Sequence, residues 1–113
     1  MTSSETKFRS WIKKESPGAF IKKLPDFKQM GQGAVVGLPD YVVFYANATE
    51  WWEVKSGFGD TLNLKNHFTP AQKVTFKKML DNGIDVGIWA LSKTKGHRIV
   101  YFSEIIGTKF IKF

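Results

Sequence analysis

Runs of apolar residues, bounded by glycine, proline, asparagine or aspartate, predict the strands of a sheet along this chain. The runs lie at residues 19–24, 40–46, 50–56, 85–91 and 98–102. A short turn around Asn47 joins the second run to the third, which predicts an antiparallel pair of strands. The last residues, 109–113, alternate between charged and apolar types and predict an edge strand.

Two segments have apolar residues at helical spacing and predict helices. The first is 4–15, with Phe8, Trp11 and Ile12 on one face and a cap at Ser3 or Ser4. The second begins at Thr69 and Pro70, a cap followed by a favoured first helical residue, and ends near Asn82 and Gly83. Its expected buried side consists of Val74, Phe76, Met79 and Leu80.

The resulting order is α-β-β-β-α-β-β, which is typical of an α/β (α+β) fold. The strand-helix-strand unit over 50–91 predicts a right-handed parallel crossover, and the earlier strands an antiparallel meander. We therefore expect a mixed central β-sheet flanked by helices. Glycine and asparagine residues favour loops at 30–37 and 57–68.

The composition limits the class of protein. A chain of 113 residues with 42% hydrophobic residues predicts a single domain over 1–113. The absence of cysteine excludes disulfides and cysteine-ligated zinc. The sequence contains no apolar stretch long enough for a membrane span and has a polar N-terminus without a signal peptide, so we expect an intracellular protein.

The charge of the chain favours a polyanionic partner. The net charge is +7 and the isoelectric point about 9.7, and a basic surface binds nucleic acid through counterion release. Between Lys7 and Lys28 there are seven Lys or Arg residues against two acids. A second basic cluster consists of Lys73, Lys77 and Lys78.

Acidic residues with metal-binding potential lie between these basic segments. Asp40 follows the glycine-containing segment 31–38, and Glu53 and Lys55 lie two apart on the next strand, so they share a face. If the two strands pair, Asp40 meets them there. Two carboxylates and the carbonyl of Val54 suit Mg²⁺, which commonly binds one or two carboxylates, waters and a phosphate. Pro-Asp turns and Glu-x-Lys strand pairs are also ordinary structural features.

Together these motifs resemble a known nuclease family. The segments 37–40 (Gly-Leu-Pro-Asp) and 53–56 (Glu-Val-Lys-Ser), followed by Gln72 in a helix, resemble the PD-(D/E)XK nuclease superfamily. Within it, they are similar to small virus-type replication-repair nucleases (VRR-NUC) and to Holliday-junction resolvases. The similarity extends over about 4–91 and includes the first helix and the segment 17–23.

The resemblance implies a restriction-endonuclease-like core and a role for each matching residue. Asp40 and Glu53 are the implied metal ligands and Lys55 the catalytic lysine. Glu5 matches the acid of the first helix, which supports the metal site. Gln72 matches a helix glutamine that holds the lysine or the scissile phosphate. Glu15 is an alternative to Glu5, and Glu5 and Gln72 also have ordinary explanations as residues of a first helical turn.

Other residues are predicted to contact DNA or to have structural roles. One of Lys22 and Lys23 is expected to face the site, because neighbouring strand residues point to opposite sides. Lys65 and Lys73 are further predicted DNA contacts, and Phe58 lies in the same loop as Lys65. The residues expected to be structural are His67 and His97 in loops, and Trp51 and Trp52 on opposite faces of a strand.

The sequence thus predicts an endodeoxyribonuclease that uses Mg²⁺ or Mn²⁺ and acts on branched or structured DNA. If it cuts both strands of a junction symmetrically, a homodimer is expected. Two alternatives remain at this point. One is a nuclease for single-stranded, flap or linear DNA, and the other is a DNA-binding module without catalysis.

Overall fold

The computed structural model describes residues 2–25 and 37–113. Most of the loop predicted at 30–37 lies outside these residues. The elements of the first half are α1 (Ser3–Glu15), β1 (Phe20–Lys23), β2 (Tyr41–Phe44) and β3 (Thr49–Gly57). Those of the second half are β4 (Thr61–Asn63), α2 (Leu64–His67), α3 (Pro70–Asp81), β5 (Gly87–Ser92), β6 (Gly96–Tyr101), α4 (Phe102–Ile105) and β7 (Phe110–Lys112).

Five strands form a mixed sheet in the order β1-β2-β3-β5-β6. The first three pair antiparallel, β3 pairs parallel with β5, and β5 pairs antiparallel with β6. The predicted meander and the parallel strand-helix-strand unit are both confirmed. Because Tyr41 pairs with Trp52, the residue before β2, Asp40, lies beside Glu53 on the neighbouring strand.

The two faces of the sheet are covered by different helices. Trp52 and Val54 pack with Phe8 and Ile12 of α1 on one face. On the other face Phe76 of α3 packs in a cluster with residues of β5 and β6. The alternation along β3 therefore turns Glu53 and Lys55 toward the layer that contains α3. Trp51 packs partly buried on that second side, so the two tryptophans face opposite ways as predicted.

The helix caps show one prediction that was right and one that was wrong. Thr69 caps α3 by accepting a hydrogen bond from the backbone N–H of Gln72 (3.1 Å), and Pro70 is the first helical residue, as expected. The cap of α1 is Thr2 rather than either serine, because Thr2 forms a capping box with Glu5. The prediction that Val74 is buried was also wrong, since Phe76 faces the core and Val74 is exposed.

The segment 57–68 is more ordered than its composition suggested. It contains β4 and α2, whose Leu62 and Leu64 are buried in the core. The C-terminal strand β7 pairs with β4 in a second, two-stranded sheet, and α4 was not predicted. Elements of three or four residues are too short for a periodic pattern, so tertiary burial defines them. None of the helices described is long and apolar enough to cross a membrane.

Candidate active site

Hydrogen bonds join Asp40, at the start of β2, to both Glu53 and Val54 on β3. The backbone N–H of Asp40 donates to Glu53 Oε1 (3.1 Å), and the backbone N–H of Val54 donates to Asp40 Oδ2 (3.0 Å). The backbone N–H of Leu24, just after β1, donates to the carbonyl of Asp40 (2.8 Å). Three strands therefore fix the position of the Asp40 backbone, and the two acids that are distant in sequence meet.

Lys55 and Gln72 complete a network around the second oxygen of Glu53. Lys55 Nζ lies 2.9 Å from Glu53 Oε2, and Gln72 Nε2 donates to the same oxygen at 2.9 Å. Lys55 also donates to Gln72 Oε1 (3.3 Å), and its ammonium lies 4.7 Å from the ring centroid of Phe68. Gln72 therefore serves both as a capping residue of α3 and as a link between Glu53 and Lys55.

The electrostatic environment of the two acids disfavours their negative charges. Glu53 is only 2% exposed. Burial raises the pKa of Glu53 and the charge of Asp40 raises it further, against the opposing effects of Lys55 and Gln72. Burial also raises the pKa of Asp40, although the N–H of Val54 and the charge of Lys55 oppose this shift. The protein therefore leaves part of the negative charge of this pair uncompensated.

Glu5 reaches the same region from α1, which covers the opposite face of the sheet. Its Oε1 accepts a hydrogen bond from Tyr41 Oη (3.0 Å) and forms an ion pair with Lys23, and its Oε2 accepts from the N–H of Thr2 (3.0 Å). Burial alone raises the pKa of Glu5, but the hydrogen bonds from Lys23, Thr2 and Tyr41 outweigh this effect and lower it to about 2. The charge of Glu5 in turn raises the pKa of Asp40.

Most of these residues line one open cleft with a volume of about 630 Å³, which we call the acidic cleft, whereas Glu53 and Tyr41 are buried and contact its lining residues. Its lining includes Glu5, Lys23, Asp40, Val54, Lys55 and Gln72, together with Ser56 and His67. Of the two neighbouring lysines, Lys23 thus faces the site, whereas Lys22 is exposed and alternates to the other side of β1. Glu15 is exposed at the far end of α1 from Glu5.

The structure does not bring Lys65 and Lys73 into this group. They line a second cleft of about 820 Å³ with an apolar floor that includes Phe68, Ile105 and Phe110. His97 stacks on Trp89 with ring centroids 4.9 Å apart. His67 lies on α2 rather than in a loop, and its Nδ1 is 2.8 Å from the carbonyl oxygen of Asn63.

Sequence reasoning missed two polar residues at the acidic cleft, the buried Tyr41, which contacts the lining residue Glu5, and His67, which lines the cleft. Tyr41 reads as an apolar strand residue, yet its hydroxyl binds Glu5, and burial together with Glu5 raises the pKa of Tyr41 to about 12, so that it stays a donor. His67 was placed in a loop. The position of Tyr41 directly after Asp40 is the only signal in the sequence that points to it.

The donor set of the cleft fits a divalent cation held by few protein ligands. Within residues 2–25 and 37–113, no three or more His, Asp or Glu side chains are gathered into a metal site. Mg²⁺ needs only one or two carboxylates when waters and a phosphate supply the rest. Asp40 and Glu53 supply that number, and their raised pKa values mean that a cation would relieve an existing repulsion. Glu5 already has a cationic partner in Lys23.

Comparisons with known proteins support the fold. No protein-family model and no curated protein sequence matches the chain. Among solved structures, a 1.6 Å structure of Hjc, a Holliday junction resolvase from the archaeal hyperthermophile Archaeoglobus fulgidus, matches with a TM-score of 0.69. The match covers 100% of this chain and 87% of that chain, at 14% sequence identity. The chain therefore has the fold of this resolvase.

Proposed function

We propose that this protein is a metal-dependent endodeoxyribonuclease that hydrolyses phosphodiester bonds in branched or structured DNA. The observation that carries the proposal is the network of Asp40, Glu53, Lys55 and Gln72, which joins the start of β2, the central strand β3 and the start of α3 beside an open cleft. A buried acid and a half-buried acid, both with raised pKa values and beside a lysine, suit the binding of a cation and a phosphate rather than folding stability.

Each residue of the network has a proposed role in hydrolysis. Mg²⁺ or Mn²⁺, held by Asp40, Glu53 and the carbonyl of Val54, would activate a water and neutralise phosphate charge. Lys55, held at 2.9 Å from Glu53, orients the attacking water or stabilises the negative charge that develops at phosphorus. Gln72 fixes the position of Lys55 from α3.

Glu5 contributes by positioning rather than by direct contact with the reacting atoms. Its ion pair with Lys23 holds that ammonium at the wall of the cleft, where it can contact a DNA phosphate. Its charge also acts on Asp40, so Glu5 supports the metal site through the local field.

Branched DNA is the substrate that the fold and charge support best. The chain carries a net charge of +7 and has the fold of a protein described as a Holliday junction resolvase. A chain of 113 residues offers little surface for reading bases, so contacts to the backbone and DNA shape should dominate. Support for the VRR-NUC subgroup comes from the sequence motifs only. An intracellular site of action follows from a DNA substrate.

A symmetric cut in a four-way junction needs two active sites, which a homodimer with twofold symmetry supplies. Sedimentation of the protein on a four-way junction tests this part of the proposal. A complex that contains a single copy would contradict the homodimer and leave the single-site chemistry unaffected.

Cleavage of an end-labelled four-way junction with Mg²⁺ tests the site. We expect Asp40→Asn and Lys55→Ala each to lose at least about 100-fold in rate, whereas Glu15→Gln, an exposed control on α1, cleaves like the wild type. Equal cleavage by all variants would refute the assigned site. DNA binding without cleavage by any protein, wild type included, would favour a binding module.

Two further measurements refine the assignment. Comparison of four-way junctions, flaps, linear duplexes and single strands separates junction cleavage from the alternative substrates. Without metal, Asp40→Asn should bind DNA as tightly as the wild type or more tightly, because it removes a negative charge near the phosphate. Weaker metal-free binding by this variant would contradict the placement of phosphate beside Asp40.

A further inference from the structure

The turn between β3 and β4 presents an aromatic side chain to solvent close to the acidic cleft. Phe58 is 77% exposed, more than the other large hydrophobic residues described as exposed. It lies three positions after Lys55, which corresponds to about 10 Å along an extended strand. Burial in the core does not explain a phenylalanine at this position.

Contacts with the turn between β5 and β6 hold this segment in place. Ser92, which is buried, donates from Oγ to the carbonyl of Gly59 (2.7 Å) and accepts from the backbone N–H groups of Thr94 (3.2 Å) and Lys95 (3.1 Å). The backbone N–H of Lys93 donates to the carbonyl of Gly57 (3.3 Å). Because the turns are joined on both sides of Phe58, its backbone position is fixed before any ligand arrives.

Lys93 gives the exposed ring an electrostatic partner. Its Nζ lies 4.3 Å from the centroid of the Phe58 ring, within the range of a cation–π interaction. Most of the residue nevertheless stays open to solvent. An aromatic surface with an adjacent ammonium suits a ligand that is flat and aromatic and is attached to a negative charge, and a nucleotide has both properties.

A depression that includes Lys93, the partner of the Phe58 ring, adjoins the acidic cleft. This depression of about 540 Å³ beside the N-terminus of α1 is lined by Lys7, Ser92 and Lys93. Thr2, Ser4 and Ser56 line both this depression and the acidic cleft. A DNA strand whose phosphate lies at Lys55 can therefore follow a polar and basic groove for a few nucleotides before it reaches the Phe58 ring.

We propose that Phe58 and Lys93 form a stacking site for an unpaired base of branched DNA, a few nucleotides from the phosphate that is cut. The inference rests on the proposed nuclease function and specifies what part of the substrate the groove recognises. Bases inside a duplex are already stacked on their neighbours, whereas a base at a branch point is available for the ring. Phe58 is thus a positioning residue that favours branched over linear DNA.

Binding measurements in EDTA separate stacking from catalysis. The probes are a four-way junction and a flap with 2-aminopurine at the branch point, and a linear duplex of equal length. We expect Phe58→Ala to weaken branched-DNA binding about tenfold, because one base–aromatic stack is lost. Duplex binding should change less than about twofold, because the bases of a duplex stack on one another and not on the ring. Phe58→Trp should retain the affinity, and Lys93→Ala should weaken it less than Phe58→Ala does.

The matched control is Phe20→Ala, which removes a ring that is 61% exposed on β1. It should leave affinity and fluorescence unchanged. In the wild-type complex the branch-point 2-aminopurine should be less fluorescent than in the Phe58→Ala complex, because the ring stacks on it. Urea denaturation should show equal stability for the Phe58 variants, as expected for an exposed side chain.

Two results overturn the inference, and they differ in their meaning for the nuclease proposal. If Phe58→Ala matches the wild type in branched-DNA affinity and 2-aminopurine fluorescence, the stacking site is wrong, and Mg²⁺-dependent cleavage by the wild type would still support the nuclease. If the wild type neither binds nor cleaves any of the DNAs, both proposals fail.

Discussion

Three carboxylates at the acidic cleft form two groups in opposite electrostatic states. Glu5 is surrounded by donors from Lys23, Tyr41 and Thr2, which lower its pKa to about 2 despite burial. Burial raises the pKa of both Glu53 and Asp40, and the charge of Asp40 raises that of Glu53 further, as the charge of Glu5 does that of Asp40. The two groups belong to different layers of the fold and meet at one edge of the sheet.

This difference indicates a structural role for Glu5 and supports the proposal that Asp40 and Glu53 bind a ligand. The charge of Glu5 is compensated within the protein, so Glu5 stabilises the fold and positions Lys23. The charges of Asp40 and Glu53 are incompletely compensated, and an incoming cation would remove the repulsion between them. Raised pKa values at such a pair support the proposal that it binds a cation.

The largest expected change in stability comes from a substitution at Gly37, which disturbs the Asp40 side of the cleft and leaves Glu5 in place. Gly37 has φ = 84°, and a Cβ there would lie 2.5 Å from the backbone of Ala71 and 2.7 Å from the N of Gln72. Gly37→Ala should destabilise the protein by about 2–4 kcal/mol, because it adds backbone strain and pushes against the start of α3. Urea denaturation measures this change.

Gly59→Ala is the matched control for this substitution. Gly59 has φ = 82° but no atoms within 4 Å of an added Cβ. Gly59→Ala should lower the free energy of unfolding by only about 1–2 kcal/mol, which is the cost of placing alanine in this backbone conformation. Equal losses for the two variants would show that the contact between Gly37 and α3 does not support the Asp40 side of the cleft.

Removing charge from each group should change stability in opposite directions. Glu5→Gln should destabilise the metal-free protein at pH 8 by about 1.5–3 kcal/mol, because hydrogen bonds to a charged group are lost. Asp40→Asn should stabilise it by about 1 kcal/mol, because the main charge that opposes the ionisation of Glu53 is removed. Urea denaturation in EDTA gives both values, and the same sign for both would contradict the comparison.

The pH dependence of stability should show a separate limb for each group. The pKa of Glu5 falls from an ordinary 4.5 to about 2, so its contribution is present above pH 4.5 and is lost as the pH falls toward 2. The pKa of Glu53 rises from 4.5 to about 7, so its contribution is full below pH 4.5 and is lost as the pH rises through 7. Each limb should amount to about 1–3 kcal/mol.

Saturating Mg²⁺ should remove the upper limb and leave the lower one, because a cation favours the ionised form of Glu53. Urea midpoints measured from about pH 3 to about pH 9, with EDTA or with Mg²⁺, test this expectation. Identical upper limbs in the two conditions would argue against a cation at Glu53.

The smallest effect distinguishes the two neighbouring lysines of β1. Lys23→Ala should destabilise the protein by about 0.5–1 kcal/mol and raise the pKa of Glu5, because their ion pair is partly exposed. Lys22→Ala, on the opposite side of β1, should be neutral. A pH titration of the Glu5 carboxyl by NMR measures the shift, and an unchanged pKa in Lys23→Ala would contradict the assigned partner.

Local patterns in the sequence were sufficient for most of the fold. Two strand-like runs joined by a short turn at Asn47 predicted the pairing of β2 and β3, and Thr69 with Pro70 predicted the start of α3, because these signals depend on neighbouring residues. The same reasoning failed for β4, α2 and α4, which are too short for a periodic signal. It also chose the wrong cap for α1, since several polar residues precede that helix and only the bond from Glu5 to Thr2 selects one.

The sequence by itself determined which residues are candidates for the chemistry, because Asp40 precedes one of two paired strands and Glu53 and Lys55 share a face of the other. Only the tertiary structure decided what state each acid has. The hydroxyl of Tyr41 reaches Glu5 across 36 positions and Gln72 reaches Glu53 across 19. A pKa depends on burial and on partners that are distant in the chain, and no local pattern contains either.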